Sequence, residues 1–169
     1  MKKTVLVFGL LSGAISIILM AISVDAIREQ EMTTADTLGY SSMLAAALLI
    51  FFGVRSYRQN AGQGRLTFVQ GLKVGALITL VSCTAYALAF QILYFVVVPD
   101  FGEIFQACMV KRATLGGASV EEIAKTAEQA ATIRGLYDRP LTNAALTFGM
   151  TLPVGLAASA IAALILRRR

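Results

Sequence analysis

Residues 141–169 read LTNAALTFGMTLPVGLAASAIAALILRRR, twenty-six residues without a charge followed by three arginines. A helix that crosses a bilayer core needs roughly 20 mostly apolar residues, and this run supplies them with a basic stop. Three earlier runs repeat the pattern. One covers about 5–24, between Lys2-Lys3 and Asp25; a shorter one covers 38–54 and ends at Arg55; a third covers about 72–98 and stops at Pro99. The sequence therefore predicts an all-α membrane protein, a single domain over 1–169 with four spans. The third and fourth exceed the minimum length, which implies tilt or a turn projecting beyond the hydrocarbon.

Composition points the same way. Apolar residues make up 57% of the chain and charged ones 15%, against about 45–50% and about 25% in soluble domains. Such a chain lacks the polar groups to cover its surface in water.

Charge placement predicts direction. With four spans, the termini and the 55–71 connection share one side, which carries Lys2, Lys3, Arg55, Arg58, Arg65, Lys73, Arg167, Arg168 and Arg169 and no carboxylate. All ten carboxylates lie on the other side with six basic residues, so the tally is +9 against 6 − 10 = −4, which recovers the net +5. Lys and Arg near span ends mark the cytoplasmic face. Both termini are expected in the cytoplasm and the chain in a bacterial inner membrane. The first run is also readable as a secretory signal cut after Ala26. Its length, beyond the usual 7–15 apolar residues of a signal, and the close-packing pair Gly9 and Gly13 favour a retained span.

The largest polar segment, about 100–138, lies between Pro99 and Pro140 on the acidic side. Phe101, Ile104, Phe105, Cys108 and Met109 recur at helical spacing before a Gly116-Gly117 stop. Ser119 and Glu122 then form a capping box ahead of Val120, Ile123, Ala127, Ala130 and Ile133 on one face. An extracytoplasmic amphipathic hairpin is expected. On the opposite side, Thr67 and Gln70 predict a second capping box, and Gly62-Gln63-Gly64 a tight turn rather than a phosphate loop, since no Gly-Lys-Ser/Thr follows. Gly9-Leu-Leu-Ser-Gly13 and Gly71-Leu-Lys-Val-Gly75 are alike enough to suggest duplicated hairpins.

Chemistry-bearing residues are sparse. The spans hold no acidic residue, and the chain has no His, which removes Ser-His-Asp and Cys-His catalysis. It also argues against proton coupling through a membrane carboxylate. Cys83 lies inside the third span and Cys108 in the hairpin, a separation of about half a membrane that makes a disulfide geometrically poor, and neither has the company a metal needs. Glu121, Glu122 and Asp138 read as solvated surface charges. No enzyme activity, cofactor, metal or nucleic-acid partner is expected.

A polar stripe does exist. Asn143, Thr147 and Thr151 lie at i, i+4 and i+8 on the fourth span, faced by Tyr86 and Gln91 of the third, with Thr79, Ser82 and Cys83 nearby and Ser12 and Ser16 on the first. These residues either line a weakly polar path or join helices by hydrogen bonds, and the second use is the commoner. Pro153, flanked by Gly149 and Gly155, removes a helical hydrogen bond and predicts a static kink. Arg55, Arg58, Arg65, Lys73, Arg167, Arg168 and Arg169 are candidate contacts for anionic lipid headgroups, beyond their role in setting topology.

The order of short motifs carries a family resemblance: Lys2-Lys3-Thr4-Val5, Gly39-Tyr40-Ser41-Ser42-Met43, Ser56-Tyr57-Arg58, Lys73-Val74-Gly75, Pro99-Asp100-Phe101, Pro140-Leu141 with Asn143, and Pro153-Val154-Gly155 before the arginines. Together they resemble the bacterial membrane proteins catalogued as domain of unknown function 4199. The resemblance spans nearly the whole chain and implies a multi-pass protein with no assigned activity. It implies no functional residues. The expected role is that of a noncatalytic accessory or envelope-associated subunit, working through helix packing and the hairpin, with a second copy or an envelope protein as partner. The alternative is a small transporter or channel component using the stripe.

Overall fold

A computed structural model of the protein describes residues 1–29, 32–62 and 64–167. It contains helices α1 (Lys2–Arg28), α2 (Met32–Asn60), α3 (Phe68–Ile92), α4 (Phe101–Leu115), α5 (Val120–Tyr137) and α6 (Pro140–Leu166), and no strand among the described residues. Four segments are long and apolar enough to cross a membrane: Lys2–Ala26, Asp36–Asn60, Phe68–Val97 and Pro140–Leu166. This is a multi-pass membrane protein.

The four long helices form one bundle. α1 packs on α2 and α3, and α6 packs on α3 and α2, so α1 and α6 stand diagonally apart. One end of the bundle, the terminal end, carries the chain termini and the α2–α3 connection. The other, the hairpin end, carries the α1–α2 connection with α4 and α5. α4 and α5 pack on each other around a turn in which Gly117 takes φ +76°. Only glycine adopts that conformation without steric cost.

Both capping boxes form. Thr67 Oγ1 accepts from the Gln70 N–H while the Gln70 side chain accepts from the Thr67 N–H, and Ser119 and Glu122 repeat the arrangement. The bonds from Ser119 hold the Glu122 carboxyl below the ordinary carboxylate range. On α5, Ala130 is buried and Ile123, Ala127 and Ile133 half-buried, but Val120 is 86% exposed. Standing in the first turn, Val120 lies past the end of the packed α4 face, so the predicted stripe begins one turn later.

Two boundaries move outward. α2 continues through Arg55-Ser56-Tyr57-Arg58 to Asn60, six residues past the predicted end of the span at Val54. Arg58 explains why polarity does not stop it, because its guanidinium donates to the carbonyl of Leu166 at 3.3 Å. That bond caps the C-terminus of α6 with a positive charge, where helix carbonyls lack partners. At the far end of α3, residues Leu93–Val97 form a π-helical turn closed by the Val98 N–H on the Leu93 carbonyl at 2.8 Å. Pro99 follows, and a residue before proline is pushed out of helical geometry; Val98 has φ −132°. α6 passes through Pro153 as a continuous helix.

The helices meet at small residues. A Cβ added at Gly9 or Gly13 of α1 would stand 2.7 Å from Val81 Cβ or 2.8 Å from Ala85 Cβ of α3. At Gly71 and Gly75 of α3 it would stand 3.0 Å from Ala163 Cβ and 2.7 Å from Ser159 Cβ of α6, and at Gly155 it would overlap Thr79. The two similar Gly motifs therefore face different neighbours, α3 and α6. A two-fold relation between hairpins does not generate that arrangement. Around these contacts the terminal half is well filled, with Ile50, Val54, Leu66, Val74, Ile78 and Ala162 nearly inaccessible.

Gly75→Leu is expected to lower stability by about 1–3 kcal/mol or more, the usual cost of overpacking, whereas Gly39→Ala, with nothing near it, leaves it almost unchanged. Thermal unfolding of the detergent-solubilised protein checks the pair.

Candidate functional site

The hairpin half of the bundle is not filled. A cavity of about 510 Å³ lies between α1, α2, α3 and α6, from Asp36 and Phe101 at its mouth to Ile50 and Ala158 at its floor. It exists because small residues, Ala46 and Ala47 of α2 and Gly155 and Ala158 of α6, face one another there. Its lining is mostly apolar, and Asp36 is the one charged residue in it among the described residues. Tyr40, Met43 and Met150 belong to its wall yet are 73%, 42% and 68% exposed. The space therefore opens sideways between α2 and α6.

The predicted polar stripe divides at this cavity. Its upper part is closed on itself. Fully buried Asn143 donates from Nδ2 to the Tyr137 carbonyl at 2.9 Å, and its Oδ1 accepts from Gln91 at 3.4 Å and from Thr147 at 3.5 Å. Gln91 also donates to the Pro140 carbonyl at 2.7 Å. These bonds satisfy the start of α6 and leave no polar path through Asn143, Thr147 and Gln91. The lower part, Thr151 and Tyr86, lines the cavity from opposite helices. Thr151 is committed to the Thr147 carbonyl at 2.9 Å. The Tyr86 hydroxyl has no hydrogen-bond partner among the described residues.

Four further intramembrane hydroxyls form two interhelical ties. Thr79 meets Ser159 at 3.2 Å, and Ser82 donates to Ser12 at 2.8 Å. Among the described residues no side-chain nitrogen or oxygen that is wholly sealed from solvent and cavity lacks a partner. No group of three or more potential metal ligands gathers there either.

Above the cavity, the π turn aims Tyr94 at the hairpin. Its hydroxyl donates to Asp138 Oδ1 at 2.7 Å, and Gly102 lets α4 approach so closely that a Cβ there would stand 2.8 Å from the Tyr94 hydroxyl. Tyr86, Phe90, Tyr94, Phe101 and Tyr137 form one aromatic cluster, with Phe90 edge-on to Phe101 at 5.7 Å and to Tyr137 at 6.2 Å. Burial pushes the Tyr137 phenol and, on α4, the Cys108 thiol up from their ordinary values, the latter offset in part by Lys111. Arg134 pairs with Glu103 at 2.9 Å and lies 3.7 Å from Asp138; Arg112 pairs with Asp36 at 3.1 Å. Arg28 donates to the Val97 carbonyl at 3.1 Å.

The terminal end presents Arg55, Arg65, Lys73 and Arg167 as exposed cations. Arg58 is half-buried and engaged with Leu166. Arg168 and Arg169 lie outside the described residues.

The family described as protein of unknown function (DUF4199) matches residues 6–168. The chain belongs to that family. No curated protein and no solved structure matches it. The match runs from the middle of the first turns of α1 to the end of α6, so bundle, hairpin and cavity all belong to the DUF4199 unit. In this DUF4199 member, α2 is the part of the site that sequence reasoning missed. Tyr40, Ser42, Met43, Ala46 and Ala47 line the cavity, and apart from the family motif Gly39–Met43 and the small Ala45–Ala47 run the sequence held no sign of them.

Asn143→Leu is expected to cost about 1–3 kcal/mol, because the Tyr137 carbonyl and the Gln91 amide lose a buried partner. Tyr86→Phe, which removes no bond within the protein, leaves stability nearly unchanged. Comparing the two unfolding temperatures tests whether the stripe is structural.

Proposed function

We propose that the protein is a noncatalytic subunit of a bacterial inner membrane, with both termini cytoplasmic and the hairpin outside, where it engages a membrane or envelope partner. The charge tally of +9 against −4 supports the orientation. The terminal-end cations, Arg55, Arg65, Lys73 and Arg167, then meet anionic headgroups of the cytoplasmic leaflet, at about 1 kcal/mol per charge near the surface.

The observation that carries the subunit reading is how the hairpin is held. Tyr94–Asp138 joins the π turn after α3 to the end of α5, Arg134–Glu103 locks α5 to α4, and Arg112–Asp36 ties α4 to α2. Beyond these ties the tip leaves Leu115 and Val120 about four-fifths exposed or more. Exposed ion pairs contribute only about 0–1 kcal/mol each, so their combined use is orientation. A hairpin fixed in attitude on the bundle presents one constant face, as a docking element requires.

A photoreactive amino acid at Glu128 is expected to give a discrete crosslinked adduct in intact membranes, while one at Leu48, on the lipid side of α2, gives only lipid adducts. A solitary monomer from both positions sinks the subunit reading.

A second reading, a small transporter or channel component without a membrane carboxylate for proton coupling, is supported by the cavity that Thr151 and Tyr86 line. On that reading, reconstituted vesicles conduct an uncharged solute and Ala47→Trp, which fills the cavity, abolishes the flux. Vesicles tight to every solute class count against it.

A further inference from the structure

The cavity has a shape, a polarity and a doorway, and the three agree on an occupant. From Asp36 to Ile50 it follows fourteen residues of α2, about 21 Å at the helical rise. A volume of about 510 Å³ drawn out over that length suits an elongated guest of single-chain size, within the roughly 300–1,000 Å³ of ordinary ligand pockets.

The polarity excludes a charged headgroup. The sole charged residue of the lining, Asp36, stands at the mouth and is paired with Arg112. Below it an ionised group meets no counter-charge, and a low-dielectric interior penalises such a charge heavily. Neutral hydrogen-bonding groups do await a partner. Of the hydroxyls in the wall, Ser23, Thr79, Ser82 and Thr151 are engaged within the protein. Ser16, Ser42 and Tyr86, on three different helices, have no hydrogen-bond partner among the described residues. Ser42 lies six residues below Asp36 and Tyr86 seven below Leu93, so both stand about 10 Å beneath the mouth. Tyr86 stacks on Phe90 there, ring centroids 6.4 Å apart.

The doorway is lateral. Tyr40 and Met43 of α2 and Met150 of α6 flank a gap that lies within the membrane-spanning lengths of both helices. α2 and α6 are held together at the terminal half by Ile50, Val54, Ala162 and Leu166, and the cavity occupies the other half. A molecule using this gap comes from the bilayer and never crosses water.

We propose that the cavity binds one neutral, single-chain amphiphile taken sideways from the membrane, its uncharged oxygen-bearing head hydrogen-bonded at the level of Ser42 and Tyr86. A glyceride and an isoprenoid quinone share this chemistry.

The test uses the full chain in phosphatidylcholine nanodiscs with a diazirine-bearing hexadecanol as photoprobe, its adducts mapped by mass spectrometry. Adducts on Met20, Met43 and Ile50 are expected to saturate, while those on lipid-facing Leu88 rise linearly with probe. Ala47→Trp is expected to abolish the first set and spare the second. The double variant Ser42→Ala/Tyr86→Phe, which breaks no bond within the protein, is expected to weaken saturable labelling about three- to tenfold, the worth of one or two hydrogen bonds, at unchanged unfolding temperature. Competition by monoolein identifies a glyceride-type ligand, and competition by a short-chain ubiquinone analogue identifies a quinone. Competition by neither overturns the proposal. So does labelling that never saturates, which marks bilayer chains only, or equally tight labelling by a diazirine-bearing palmitate, which shows that the site takes a charged head.

Discussion

Within a bilayer, apolar side chains gain nothing by leaving lipid for protein, so the helices must be joined by close van der Waals contact and by hydrogen bonds. Here both are concentrated on α3. Its Gly71 and Gly75 admit Ala163 and Ser159 of α6, its Val81 and Ala85 fill the groove at Gly9 and Gly13 of α1, and its Thr79 and Ser82 donate or accept across both interfaces. The remaining features follow from that packing. With α3 wedged between α1 and α6, α2 is left to close the fourth side, and it does so at the terminal half alone. The gap at the other half is the cavity.

The hairpin end obeys a different constraint. The π turn and Pro99 end α3 abruptly, and the backbone carbonyl released at Val97 is taken by Arg28. Tyr94 is thereby directed at Asp138, and the aromatic cluster forms where three chain segments converge. Hairpin attitude and cavity mouth are mechanically linked, since Phe101 belongs to both the cluster and the cavity lining, and Asp36 to both the cavity and the ion pair with α4.

Much of this was legible in the sequence. The spans follow from uncharged runs, since a charge in hydrocarbon is too costly to occur by chance. The capping boxes at Thr67 and Ser119 and the Gly116-Gly117 turn follow from local hydrogen-bonding chemistry that needs no tertiary context. The end of α2 was not legible, because Arg58 is kept helical by a carbonyl 108 positions away. Nor was the exposure of Val120, which depends on where α4 stops. The stripe of Asn143, Thr147 and Thr151 was visible as a pattern, but its division into a closed network and a cavity wall depends on which groups Gln91 and Tyr86 meet. A cavity is a property of what neighbouring helices lack, and a single sequence records only what each helix has.

The diagonal placement of α1 and α6 bears on how the protein is assembled during synthesis. The α1–α2 pair leaves the ribosome first, with its Gly9–Gly13 groove facing lipid and no partner yet made. It stays so until α3 is inserted, and α3 in turn keeps its own Gly71–Gly75 groove open through the whole translation of the hairpin. α6 arrives last and finds no foothold on α1; it docks on α3 and α2 alone. The bundle is therefore completed by its final helix, and the cavity acquires its fourth wall only then, while surrounded by lipid. A membrane lipid is accordingly the first molecule the finished cavity meets.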